Sequence, residues 1–143
     1  MEGRGCNIPE SLTEALYCYL TGNCRVSKVF GAKQSFDCYD EDTEERIQVK
    51  ACSILPDLSS LGPKSVYDKF IFMDMSYKKN GRKKGDYKIY EIDTEILDNT
   101  HVNEQETVQD QREQGRRPRL SIYDKIIKEQ NLVPIFEGNI FDD

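Results

Sequence analysis

The stretch Gln34-Ser-Phe-Asp-Cys-Tyr-Asp40, Glu41-Asp-Thr-Glu44, Glu45-Arg-Ile-Gln-Val-Lys-Ala51 decides how this chain folds. Its two ends are strand-like and its middle is a polar turn. With a side-chain period of two, Phe36 and Cys38 point one way on the first strand. Ile47, Val49 and Ala51 point one way on the second, and these residues make an apolar face. Asp37, Gln48 and Lys50 are left on the other face. A turn centred between Asp42 and Thr43 sets Asp37 directly across from Gln48, where opposed Cβ atoms lie about 4.5–5.5 Å apart. Lys50 follows two residues on, on the same side. A carboxylate, an amide and an ammonium group therefore gather on one face of a hairpin.

That set has a defined chemistry. Asp37 can bind a hard divalent cation, Gln48 can offer its amide oxygen, and the Val49 carbonyl is a third protein ligand. Mg²⁺ takes octahedral oxygen coordination and keeps several waters, so a sparse protein set suffices. Lys50 beside a metal-bound water could orient it or help deprotonate it. The same ammonium could stabilise charge on an attacked phosphate. This is the chemistry of metal-assisted phosphodiester hydrolysis. The bland reading of the same residues is a solvated hairpin face.

Working outward, residues 8–21 have helical spacing in Ile8, Leu12, Ala15, Leu16, Tyr19 and Leu20. Pro9 suits the first turn, Gly22-Asn23 is a stop signal, and Glu10 and Glu14 lie beside the apolar stripe. Residues 53–68 read as a loop, with a short helical turn around Lys64–Asp68. Lys69-Phe-Ile-Phe-Met-Asp-Met75 reads as a central strand and Asp86-Tyr-Lys-Ile-Tyr-Glu-Ile92 as another. Asn80-Gly81 between them is a turn signal. The tip of this second hairpin carries Lys78, Lys79, Arg82, Lys83 and Lys84.

Residues 98–119 hold Val102 and Val108 as their only aliphatic side chains. Such a segment builds no core of its own, and it is expected to order only on a ligand. It contains Arg112, Arg116, Arg117 and Arg119. Arginine can donate a bidentate pair to guanine in the major groove, so DNA contact is the reading for this segment. A helix is expected at Ser121–Gln130, with Ser121 and Asp124 as a capping pair. Leu132-Val-Pro-Ile-Phe136 reads as an edge strand, since Pro134 excludes a central one.

At 143 residues the chain is expected to be one domain, 1–143. No apolar run is long enough to span a membrane, and the first residues do not read as a signal peptide. A soluble, cytoplasmic protein is the expectation. The five cysteines are odd in number and contain no CxxC pair, and His101 stands alone, so reduced, buried thiols are expected rather than zinc or disulfides. With 20 Lys+Arg against 26 Asp+Glu the net charge is −6, which argues against a generic nucleic-acid coat protein. The two basic windows instead make positive patches on a negative body.

Asp37, a hairpin turn, then Gln48-Val49-Lys50 resembles the D…(E/Q)xK signature of the PD-(D/E)XK nucleases. The string Ser35–Tyr39 with Arg46-Ile-Gln-Val-Lys-Ala51 resembles small type II restriction endonucleases within them. The resemblance continues in Leu61-Gly-Pro-Lys-Ser-Val-Tyr-Asp68, in Phe70–Asp74 and in Gln114-Gly-Arg-Arg-Pro-Arg119. It implies an α/β (α+β) restriction-endonuclease-like core, a mixed β-sheet flanked by helices, built in the order helix, three strands, helix, strand. It also implies Mg²⁺ dependence and a homodimer that cuts both strands of double-stranded DNA at a short GC-containing site. By resemblance, Asp37, Gln48 and Val49 hold the metal, Lys50 serves the attacking water, and Glu14 supplies an acidic group from the first helix, with Glu10 as the fallback. Gln48 stands where the common form has Glu, which removes one negative charge from the metal site. Two other readings stay open: a junction or repair nuclease of the same fold, and a non-catalytic DNA-binding or interaction module.

Overall fold

The computed structural model describes residues 10–26, 36–77 and 81–141. Helix α1 (Glu10–Thr21) ends at Gly22, whose φ of +82° is a left-handed conformation that glycine adopts without a Cβ clash. Pro9 lies outside the described residues. A short strand not read from the sequence, β1 (Cys24–Val26), pairs antiparallel with β2 (Cys38–Asp40). β2 turns through residues 41–44 into β3 (Glu45–Cys52). The hairpin has the register its turn dictates: Cys38 faces Ile47, Tyr39 faces Arg46 and Asp40 faces Glu45.

A connecting segment containing β4 (Ser59–Ser60) leads to β5 (Lys69–Asp74), which runs parallel to β3. β6 (Asp86–Ile92) returns antiparallel beside β5. Then come α2 (Thr94–Asn99), α3 (Val108–Glu113) and β7 (Arg119–Leu120), which pairs with β4 as a separate ribbon. A π-helical turn, Tyr123–Ile127, runs into α4 (Lys128–Gln130), and β8 (Phe136–Asn139) closes the main sheet. Its order is β1-β2-β3-β5-β6-β8.

β5 is central, and its sequence says why. Phe70, Ile71, Phe72 and Met73 are each 0% exposed, so the strand is apolar on both sides. On one side Ile47, Val49, Ile71 and Met73 pack with Tyr17 of α1. On the other, Phe70 and Phe72 pack with Leu97, Val108, Ile122 and Ile126. The expected apolar face of the hairpin is thus the one that α1 covers, except that Ala51 is exposed.

Three expectations are corrected. The crossover from β3 to β5 carries no helix among the described residues, neither at Lys64–Asp68 nor elsewhere. Pro56 and Pro63 each remove a backbone donor and push the preceding residue away from helical geometry. The segment is held instead by the buried Asp57 carboxylate, which accepts from Ser59 Oγ, Ser121 Oγ, Ile122 N and Tyr123 N. That carboxylate ties the crossover to the start of the last helix, where Ser121 Oγ also accepts from Asp124 N at 3.0 Å as the capping pair predicts. The edge strand falls at Phe136–Asn139 rather than Leu132–Phe136, after Pro134 instead of around it.

The third correction is the largest. Residues 98–119 take an ordered fold built on internal hydrogen bonds rather than on apolar side chains. Thr107 and Asp110 form a reciprocal capping box at the start of α3, and Val108 and Gln111 are buried. At the other end Gly115 N bonds to Arg112 O and Arg116 N to Gln111 O, a Schellman closure in which Gly115 takes φ +78°. Glu106 accepts from Asn103, Gln111, Gln114 and Arg116. These bonds, led by the one from Gln111, hold its carboxyl at about 2. Hydrogen bonding does here what apolar residues do elsewhere.

Candidate active site

The β2–β3 ladder stops at Cys38 and Ile47, and Asp37 N then donates to Ile47 O at 2.9 Å. The Asp37 side chain takes over where the ladder ends. Its Oδ2 accepts from Gln48 Nε2 at 2.9 Å and from Val49 N at 2.8 Å. In an extended strand the N–H and C=O of one residue point to the same side, so the Val49 carbonyl opens toward Asp37 as well. The expected clustering of Asp37, Gln48 and Val49 is therefore realised in space.

Lys50 follows on the same face. In the parallel register Gln48 pairs with Phe70 and Lys50 with Phe72, so the three polar groups lie on the Phe70/Phe72 side of the sheet. Lys50 is half-buried and makes no ion pair among the described residues. α1 packs on the opposite face. Its Glu14 carbonyl accepts from Cys38 Sγ at 3.8 Å, which sets the Glu14 backbone one strand residue from Asp37. The Glu14 side chain is half-buried, and that of Glu10 lies outside the described residues.

The basic side chains divide sharply. Arg112 is held inside the protein: it donates to Gly62 O and Ser65 O, lies 5.4 Å over the Tyr67 ring and pairs with Asp98. Arg116 binds both Glu106 oxygens. Arg82 donates to Asp74 Oδ2 at 2.9 Å and to Asp74 O at 3.1 Å. Arg117 and Arg119 are exposed beside the β4–β7 ribbon, and Lys83 and Lys84 are exposed on the β5–β6 connection. Lys78 and Lys79 lie outside the described residues. Sequence reasoning missed the internal partners, because Asp74, Asp98 and Tyr67 are remote from these arginines or in other elements.

A mixed sheet flanked by helices, with an Asp…Gln-x-Lys face on the hairpin that joins α1 to the central strand, is a restriction-endonuclease-like core. The chain belongs to the Bsp6I restriction endonuclease family, whose sequence model matches residues 1–129. It is 30% identical over 135 residues to the type II restriction enzyme Bsp6I of Bacillus sp. (strain RFL6), a match covering 92% of this chain and 72% of that relative. No solved structure matches it. It is a type II restriction endonuclease, a site-specific deoxyribonuclease, and enzymes of this type are generally metal-dependent. The binding-module and junction-nuclease readings give way to this one. Among the described residues no helix is long and apolar enough to cross a membrane.

Proposed function

We propose that this enzyme is an Mg²⁺-dependent homodimer that hydrolyses both strands of double-stranded DNA at a short GC-containing site. Asp37, Gln48 and the Val49 carbonyl hold the metal, and Lys50 serves the attacking water. The observation that carries the assignment is the Asp37 carboxylate bonded at once to Gln48 Nε2 and Val49 N. A carboxylate, an amide and a carbonyl form an all-oxygen donor set, which suits Mg²⁺ rather than a soft cation. A bound ion would supply an acidic water and offset charge on the attacked phosphate. Lys50 orients that water and donates toward the oxygen that gains charge. Glu14 would assist from α1, whose packing on Cys38 puts it across the sheet from the Gln48 and Lys50 side chains.

Plasmid DNA digested with Mg²⁺ should give discrete bands. A smear, or intact plasmid with every divalent ion tried, overturns the proposal. Sedimentation of the free protein should report a dimer.

Gln48 supplies a second test. Its Nε2 donates to Asp37 Oδ2, so metal binding requires the amide to present Oε1 instead. Gln48→Glu would set two carboxylates at hydrogen-bond distance, where they repel unless a proton or a cation lies between them. Cleavage should persist, with tighter Mg²⁺ binding by calorimetry. Gln48→Leu removes both polar atoms and should lose about fivefold or more in cleavage, since one lost polar partner costs about 1–3 kcal/mol. Equal cutting by both variants would leave Gln48 as a face residue.

For DNA contact, the segment 98–119 acts through its outer residues. Arg117 and Arg119 meet DNA, with Lys83 and Lys84, while Arg112 and Arg82 support the surface from behind and Arg116, itself exposed, is held by Glu106. Arg117→Ala should lose about 1–3 kcal/mol of discrimination at one base pair. Lys83→Ala should weaken all sequences alike and lower the salt slope by about one unit. Affinities for cognate and single-mismatch duplexes in Ca²⁺, across a salt series, decide between these roles. An unchanged cognate-to-mismatch ratio in Arg117→Ala removes it from base reading.

A further inference from the structure

We infer that Cys18, Cys24 and Cys38 form a trithiolate site for one soft cation of the Zn²⁺ class, separate from the nuclease site. Their Sγ atoms all lie within 4.8 Å of one another, and Cys18 Sγ donates to Cys24 Sγ at 3.0 Å. Zn–S bonds of about 2.3 Å in tetrahedral geometry put sulfurs roughly 3.8 Å apart, so small side-chain rotations complete the set. Thiolates select Zn²⁺ or Cu(I) over Mg²⁺, and the two sites do not compete for one ion.

The site comes from three elements. Cys18 lies on the last turns of α1, Cys24 on β1 and Cys38 on β2. Gly22 turns the chain so that Cys24 returns onto Cys18, which is why the spacing along the sequence resembles no zinc motif. Cys24 is 1% and Cys38 0% exposed, whereas Cys18 is half-buried, which opens one side for entry and for a water as fourth ligand. The Arg25 guanidinium, which donates to Gly22 O and Cys24 O, lies on the same turn and offsets the charge of three thiolates around a dication. On binding, three S–H bonds break, three protons leave to water and three S–metal bonds form, with no change of oxidation state. The ion would clamp α1 and β1 to β2, one residue from Asp37.

The test uses the full chain, purified reduced, loaded with Co²⁺ and desalted in excess Mg²⁺. One Co²⁺ per chain should remain, with thiolate-to-cobalt charge-transfer absorption that Zn²⁺ abolishes. Three of the thiols should be shielded from a thiol reagent in the loaded protein. Cys18→Ser, at the half-buried position, should keep the parent's circular dichroism and lose both the ion and the absorption. Cys52→Ser and Asp37→Ala should retain both, which separates this site from the nuclease assignment. The inference is overturned if the parent retains no Co²⁺, or if the retained ion shows no sulfur absorption. It is equally overturned if Cys18→Ser binds as the parent does, or if peptide mapping of the metal-free chain finds Cys18 and Cys24 joined as a stable disulfide.

Discussion

Lys50→Ala and Asp37→Ala are each expected to abolish DNA cleavage while leaving a folded protein. Lys50 is the cleaner test. It makes no ion pair among the described residues, so its loss takes nothing from the fold that an ion pair supplies. Metal-assisted stabilisation of transition-state charge is worth several kcal/mol, and each 1.36 kcal/mol is about tenfold in rate. A fall of roughly a thousandfold or more follows for either variant. Asp37→Ala adds a structural loss, because Val49 N gives up its acceptor at the end of the ladder. Asp37→Asn keeps an acceptor there and removes only the charge. It should be as inactive as Asp37→Ala and closer to the parent in stability. Single-turnover cleavage of a short duplex, with denaturant unfolding run in parallel, reads both quantities. Normal digestion by Lys50→Ala would sink the site assignment.

The largest effect on stability should come from Asp74→Ala, at about 3–5 kcal/mol, the cost of breaking a buried ion pair by removing one partner. The Asp74 side chain is 4% exposed and that of Arg82 15%. Asp74 Oδ1 also accepts from Ser76 N and Ser76 Oγ, while Oδ2 takes Arg82. This carboxylate therefore pins the exit of β5 to the far end of the connection that returns as β6. Arg82→Ala should be destabilising through the same pair and should leave the salt slope of DNA binding unchanged, unlike Lys83→Ala. Urea unfolding of the two single variants and the double variant measures the coupling. A parent-like midpoint in Asp74→Ala would mean that the pair is ornamental and would return Arg82 to the DNA-contacting set.

How much of this is legible in the sequence follows from the range of each interaction. The hairpin could be read because period and turn are local: a polar turn at residues 41–44 fixes which residues face each other, and Cys38 does face Ile47. The central strand was legible for the same reason, since four consecutive large apolar residues fit only between two covered faces. The segment 98–119 was misread because apolar content is a proxy for burial. Glu106 accepting from four side chains, and Gln111 buried among them, give order that hydrophobicity does not register. The missing crossover helix shows a similar limit: the prolines were visible, but not the Asp57 carboxylate that replaces helical hydrogen bonding.

The candidate site divides along the same line. Which side chains share the hairpin face follows from local chemistry alone, because Asp37, Gln48 and Lys50 are placed by a two-residue period and one tight turn. Tertiary structure decided which of the charged groups are tied to acceptors inside the fold. Arg82 and Arg112 find their acceptors at Asp74 and at residues 62–65, Arg116 pairs with Glu106 at an exposed position, and Arg117 and Arg119 are exposed beside the β4–β7 ribbon. It also decided that three cysteines, spaced like no metal motif, converge at the junction of α1, β1 and β2. Local periodicity sets the direction of a side chain within its own element, but the partner of a long charged side chain or a thiol is set by how the elements pack.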